Sequence, residues 1–443
     1  LNKKLLIITS CLVLFNLIFP VQSISNTQIN ITNISNPLLE GGWLEKINEI
    51  NVIHLNGSFY EMGYQYGYLL KEEITENLRA YNHYLENILN INYDIFFDLW
   101  NIQKNYVSQD IIDFIQGTAD GADLSFEYVA VTWVYDGGIY LYRCCSFSTW
   151  STATKNNELF CARSLDWMLD IKDPVTGKYI QENPVLVIAN PENGYSFFYP
   201  TVAGHVIEGG INEKGVSVSN MWSENNDRAE HGKPMSVRLF EALYKASTAE
   251  EAIDIITSNR TFGYNFVVSD GDIPIGYAVE TTANHSYFGT WDNPTESNRP
   301  FWQIDHAVRR TNFYLHPKLA TFQRFPYNSR SLLHILGILG GNKRWFLTWL
   351  HYKSLSNGIE RYWGNIDLNK TMEIIRGVYQ LRFDIVWRFF INLWGRYRTM
   401  WQWAACPKTG DFLIAYSEVG KHAWECPIKY FNLFNLLDSE PPP

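Results

Sequence analysis

The sequence predicts an α+β fold, and three observations carry that expectation. First, paired apolar-rich runs flank short polar breaks: Cys144 to Ala153 and Leu159 to Trp167 around Thr154-Lys155-Asn156-Asn157-Glu158, and Phe262 to Asp270 and Ile275 to Thr281 around Asp270-Gly271-Asp272. Such pairs read as β-hairpins. Second, residues 71–130 and Pro234 to Thr257 carry apolar residues at helical spacing. Third, strand pairs and helices are interspersed along the chain, with no solenoid repeat and no linker after residue 40. The 443 residues are long enough for more than one domain.

Taken in order, the chain begins with a segment that reads as a signal peptide over residues 1–23. Lys3-Lys4 is the basic start, Leu5 to Phe19 the apolar core, and Val21-Gln22-Ser23 the small-residue cleavage site. Retention of this segment as a membrane anchor is the alternative. Ser25 to Pro37 is a polar lead-in. Asn51 to Leu55 reads as a strand. A helix then starts at Ser58, with Glu61 completing a capping box. Gly63 and Gly67 share one face of that helix and permit close packing. Val185 to Asn190, Ser196 to Thr201 and two pieces joined at Glu213-Lys214-Gly215 read as further strands. Arg330 to His351 has helical spacing and is too short in apolar length to span a bilayer. Tyr379 to Trp403 is an aromatic stretch with Trp387, Trp394, Trp401 and Trp403, read mainly as core. Met400 to Tyr416 closes the chain as a hairpin.

Composition narrows the partners. A net charge of −10 with mixed signs argues against nucleic acid. No Cys-x-x-Cys or His-x-x-x-His pair suggests zinc, and no cofactor motif stands out. Sequons at Asn30, Asn33, Asn56, Asn259, Asn284 and Asn369 fit a secretory route. Without the signal segment five cysteines remain, an odd number. That suits one reserved thiol plus up to two bridges, with Cys406–Cys426 as the expected pair.

The chemistry centres on Arg143-Cys144-Cys145-Ser146-Phe147 and Arg163-Ser164-Leu165-Asp166-Trp167. A hairpin brings the start of its first strand near the end of its second, so Cys144 is expected near Arg163 and Asp166. A guanidinium beside a thiol favours the thiolate, which is the nucleophile. Asp166 is expected to orient Arg163 and balance its charge. Strict alternation puts those two on opposite faces, so this requires a bulge or strand end at Leu165. Cys145, pointing the other way, is expected in the core.

Cys-Cys-Ser-Phe followed by Ala-Arg-Ser-Leu-Asp-Trp resembles the nucleophile region of N-terminal-nucleophile (Ntn) hydrolases. It is most similar to the acyl-coenzyme A:6-aminopenicillanic acid acyltransferase-like branch, with acid ceramidase and bile salt hydrolase more distant. The resemblance makes Cys144 the nucleophile. Ser164 departs from it, standing where the family has Asn. Gly-x-Asn-Glu-Lys-Gly at 210–215 is similar to the same superfamily, and Asn220 falls near its oxyanion asparagine. Arg310-Thr311-Asn312-Phe313-Tyr314 resembles the Thr-Asn motif that supplies an oxyanion-hole amide, which implies that role for Asn312. Ser356 to Tyr362 resembles a Ser-rich run ending in a catalytic arginine, here Arg361.

The resemblance implies a four-layer αββα sandwich of two antiparallel sheets. Residues 24–143 would be a mainly helical pro-segment and 144–443 the catalytic part, parted by self-cleavage before Cys144. It implies attack on the linear amide bond of a small N-acyl substrate through a thioester, resolved by water or an amine. Acyl-CoA is a further candidate partner, as is the cleaved N-terminal segment itself; a membrane enters only if residues 1–23 are retained. The expected location is outside the cytoplasm, or a lysosome-like compartment in a eukaryote. Two rivals stand beside this reading. A papain-like protease fails because no matching motif precedes Cys144. A secreted binding protein that keeps the fold without being cut remains open, since Arg143 precedes the nucleophile.

Overall fold

Strand β1 (Trp43–Ile47) and strand β2 (Ile50–Gly57) form a tight antiparallel pair at the front of the chain. This is a computed structural model, and it describes residues 36–137, 143–167, 169–297, 301–323, 343–380 and 399–441. The signal segment, most of the lead-in, the sequons at Asn30 and Asn33, the start of the 330–351 helix, and Trp387 and Trp394 lie outside the described residues. From Pro37 onward the chain is one compact unit, with Cys144 inside it.

Ser58 caps helix α1 (Phe59–Leu69) through the expected capping box with Glu61. Helices α2 (Lys71–His83), α3 (Asp94–Gln103), α4 (Gln109–Ala122) and α5 (Phe126–Ala130) follow. α1 packs on α4 with backbones almost touching. A Cβ on Gly63 would sit 2.1 Å from Phe114 O, and one on the facing Gly117 would sit 2.1 Å from Tyr60 O. Only glycine allows that approach.

The expected hairpin is strand β3 (Arg143–Ser151) with strand β4 (Asn157–Asp166). Next come β5 (Pro184–Pro191), β6 (Phe197–Val202), β7 (Gly209–Asn212) and β8 (Val216–Trp222). The helical stretch 234–257 divides at Ala246-Ser247-Thr248 into α6 (Met235–Lys245) and α7 (Ala249–Thr257). Strands β9 (Tyr264–Asp270), β10 (Ile275–Thr281), β11 (Ser286–Gly289) and β12 (Ala307–Arg310) lead to two long helices, α8 (Lys343–Tyr362) and α9 (Leu368–Gln380). The chain closes with β13 (Thr399–Cys406), β14 (Asp411–Tyr416) and β15 (Lys429–Asn432).

Nine strands form one sheet in the order β1-β2-β5-β6-β7-β8-β9-β10-β11, and six form the other in the order β12-β3-β4-β13-β14-β15. β3 and β12 lie on β9 and β10, so the sheets stack face to face. α6 and α7 cover the outer face of the larger sheet, and α8 and α9 that of the smaller. The architecture is therefore αββα. It differs from two purely antiparallel sheets at one place, because β2 pairs with β5 in parallel. The segment before Cys144 thus supplies two strands of the larger sheet as well as helices.

The expected Cys406–Cys426 bridge is absent, and both thiols are free. Cys426 donates to His422 O, and His422 Nδ1 accepts from the backbone N of Thr399 at the start of β13. Cys406 ends that strand, roughly 20 Å away at the usual rise per residue. A disulfide needs its Cα atoms within about 7 Å.

Candidate active site

Alternation along the hairpin decides which side chains meet. Cys144 lies opposite Leu165, and Ser146 opposite Arg163, so Cys144 and Arg163 share the face turned toward the larger sheet. Cys145 points the other way, toward α9, where its sulfur lies 3.4 Å from the Tyr379 hydroxyl. The β3–β4 register runs without a break from Arg143↔Asp166 to Thr149↔Phe160. The irregularity at this point lies in β13, where the register shifts between Thr399 and Trp401 opposite Asp166 and Leu165, and it leaves the Asp166 side chain on the face away from Arg163.

Glu208 balances Arg163 instead. Arg163 is fully buried, and its Nη2 donates to Glu208 Oε2 at 2.8 Å and to Asn220 Oδ1 at 2.9 Å. Its Nε donates to Asn220 O at 3.1 Å, and Nη2 lies 3.8 Å from Cys144 Sγ. Asn220 Nδ2 donates to Glu208 Oε2 at 3.0 Å and to Met235 Sδ at 3.2 Å, which closes the ring of contacts. Burial pushes the Glu208 carboxyl up, but the neighbouring His205 ring, Arg163 and Asn220 outweigh it and hold the group below its ordinary value. Gly209 makes room for the guanidinium stem. A Cβ there would meet Val218 O at 2.7 Å and Arg163 Cδ at 3.4 Å, and its φ is +127°.

Asn312 holds the other side of Cys144. Its Oδ1 accepts from the Cys144 backbone N at 2.8 Å, and its Nδ2 donates to Trp222 O at 2.7 Å. Both partners fix the orientation of the amide. Among the described residues its second N–H has no partner, and the side chain is half-buried.

The thiol itself is 1% exposed. Burial pushes it up to about 12, against the opposing pull of Arg163 and of the Asp166 backbone N–H. Asp166 therefore touches the site through its main chain, while its side chain lies on the Cys145 face near Tyr379. His205 is held behind Glu208, 3.8 Å from Oε1, between Trp167 and Tyr81, and makes no contact with Cys144.

The structure keeps Arg361 away. It stands exposed in the last turn of α8. Gly364, just beyond, bonds to Ala153 at the turn of the β3–β4 hairpin. Cys144 is at the opposite end of β3, roughly 25 Å off by strand rise. The sequence reading missed Glu208. Its one local signal is a lone acid in Val206-Ile207-Glu208-Gly209-Gly210, since a buried carboxylate demands a cation. Among the described residues no cluster of His, Cys, Asp and Glu could hold a metal ion.

No family model matches the chain. It is 24% identical to Protein dcd1A of Dictyostelium discoideum over 373 residues, covering 70% of this chain and 80% of that one. It is 23% identical to Protein dcd1B of the same organism over 241 residues, spanning 47% of this chain and less than half of that one, 45%. Among solved structures, penicillin V acylase from Agrobacterium tumefaciens aligns with a TM-score of 0.39 at 12% identity, over 66% of this chain and 86% of that one. A mutant conjugated bile acid hydrolase from Clostridium perfringens aligns with a TM-score of 0.31 at 14% identity, over 65% and 96%.

Proposed function

We propose that the chain is the precursor of a cysteine hydrolase or acyltransferase of the Ntn kind, acting on the linear amide bond of an N-acyl substrate. One observation carries this reading: the Cys144 backbone nitrogen is held by Asn312 Oδ1 at 2.8 Å while the Cys144 sulfur faces Arg163. A peptide nitrogen cannot act as a base, because its lone pair is delocalised into the carbonyl. A free α-amine, with an ordinary pKa near 8, can. No histidine among the described residues touches the thiol, which supports the α-amine as the base.

The first step is self-cleavage. Cys144 Sγ attacks the carbonyl of Arg143, the C–N bond breaks, and the thiol proton ends on the Cys144 nitrogen. Water then hydrolyses the thioester, leaving the Arg143 carboxylate and a free thiol. In turnover the new α-amine takes the thiol proton and the thiolate attacks the substrate carbonyl. Arg163 favours the thiolate, and Glu208 with Asn220 keeps Arg163 in place. The second N–H of Asn312, without a partner among the described residues, would receive the developing oxyanion, a contact of a kind that contributes a few kcal/mol. The leaving amine takes up the proton, and water or an amine resolves the acyl-enzyme.

Deep burial of a thiol whose pKa that burial raises fits a latent precursor. It equally favours a second reading, a binding protein with this fold that is never cut. N-terminal sequencing and mass spectrometry of purified protein separate the two. The enzyme gives two chains, the second starting at Cys144, and Cys144→Ala gives one uncut, inactive chain. Activity in wild type with no N-terminus at Cys144 would overturn the Ntn reading.

A further inference from the structure

Asn265 lies near the start of β9, the seventh of the nine strands of the larger sheet, and is fully buried. Its Nδ2 donates both hydrogens to main-chain carbonyls, Thr311 O at 2.8 Å and Phe313 O at 2.7 Å. Those carbonyls stand immediately before and after Asn312. Both partners are acceptors, so the NH₂ end must face them and the side chain cannot be flipped. Its Oδ1 is buried without a partner among the described residues. An orphaned buried acceptor costs about 1–3 kcal/mol. An apolar side chain of the same shape would remove that orphan but take the donor from both carbonyls, so what Asn265 supplies is the hold on the main chain either side of Asn312.

The rest of the Asn312 neighbourhood leads back to the same strands. Asn265 pairs with Met221 across β8–β9, and Tyr264 pairs with Trp222, whose carbonyl accepts from Asn312 Nδ2. The main chain around Asn312 and its side chain are thus both tied to neighbouring positions of one strand pair. Beyond it, Glu280 accepts from the backbone N of Leu315 and of His316 and from Arg310 Nε, while Arg310 also bonds Glu296. That network fixes the outer end of the loop. Asn265 fixes the part that carries Asn312.

We infer that Asn265 is a positioning residue: by clamping the carbonyls on either side of Asn312, it sets the Asn312 amide against the Cys144 nitrogen and so governs cleavage at that residue. The inference rests on the Cys144 reading above. Two coplanar N–H groups on one short side chain are needed to bridge two carbonyls. Serine offers one donor, and aspartate offers only acceptors, which repel both.

The test is a double-mutant cycle read on the chain's own bond, the conversion of uncut to cut protein followed on denaturing gels and by mass. Asn265→Ser should slow cutting at least tenfold, and Asn312→Ala should slow it at least as much. Combined, they should be no slower than Asn312→Ala alone, because Asn265 acts only through Asn312. Multiplied losses in the double variant, or an unchanged rate in Asn265→Ser, would overturn the inference. Asn265→Asp, which keeps the shape, should cut more slowly than Asn265→Ser; a faster rate would also overturn it. Should a variant fold poorly, the ratio of rates is taken at a temperature where circular dichroism shows both folded. Failure of the Cys144 reading is separate and visible: Cys144→Ala would still be cut.

Discussion

Replacing Arg163 with Leu tests the electrostatics of the site directly. The guanidinium is fully buried with Nη2 3.8 Å from the sulfur. Unit charges at that distance, in an effective dielectric of about 20, attract by about 4 kcal/mol. Glu208 pulls the other way on the thiol, with a weaker effect than Arg163. Glu208 acts in wild type and in Arg163→Leu alike, so the single variant loses the Arg163 attraction itself, up to about 4 kcal/mol or about three pKa units. The thiolate loses its cation, so the thiol pKa rises and the pH midpoint of iodoacetamide labelling at Cys144 moves up by about one to three units in the cut protein. Leu also leaves Glu208 buried with only Asn220 and the His205 ring against its charge, and breaking a buried pair in this way costs about 3–5 kcal/mol in stability. Arg163→Leu with Glu208→Gln removes that penalty and serves as the fold control. It should melt higher than the single variant yet keep a raised labelling midpoint. An unchanged or lowered midpoint in both would mean that Arg163 does not act on Cys144.

Other outcomes follow from the same geometry. Cys145→Ala should keep at least a tenth of the cutting rate of wild type, since Cys145 faces α9; equal loss in Cys145→Ala and Cys144→Ala would refute the assignment of the nucleophile. Gly117→Ala should lower the melting temperature markedly, because its Cβ would sit 2.1 Å from Tyr60 O, and overpacking of this kind costs about 3 kcal/mol; an unchanged melt would show that α1 and α4 can part cheaply. Asp227 is pushed up by burial but held down at about 2 by Thr282, His285 and Asn284. Its contribution to stability is present above the ordinary value of 3.8 and is lost as pH falls through about 2. Asp227→Asn should therefore be less stable than wild type at neutral pH and lose less between pH 4 and 2 in urea titrations; parallel curves would refute the role.

Some of this was legible along the chain because it is local. The capping box at Ser58, the glycine pair on α1 and the β3–β4 hairpin depend on spacing within a few residues, and spacing is what a sequence displays. Period-two alternation also turned Cys145 away from Cys144, while the register that puts Cys144 and Arg163 on one face came from the structure. What alternation cannot name is the partner waiting across that face. Glu208 is 45 residues from Arg163, and Asn312 is 168 from Cys144. Stacking of the two sheets brought Glu208 to Arg163 in place of the neighbouring Asp166, while pairing of β12 with β3 inside the smaller sheet brought Asn312 to Cys144 and pairing inside the larger sheet joined β2 to β5 in parallel. The length of β3 separates Arg361, beside the hairpin turn, from Cys144, and the length of β13 keeps Cys406 from Cys426. A motif fixes which side chains are on offer. The distances that let them react are set by packing between segments far apart in the chain, where no local periodicity reports on them.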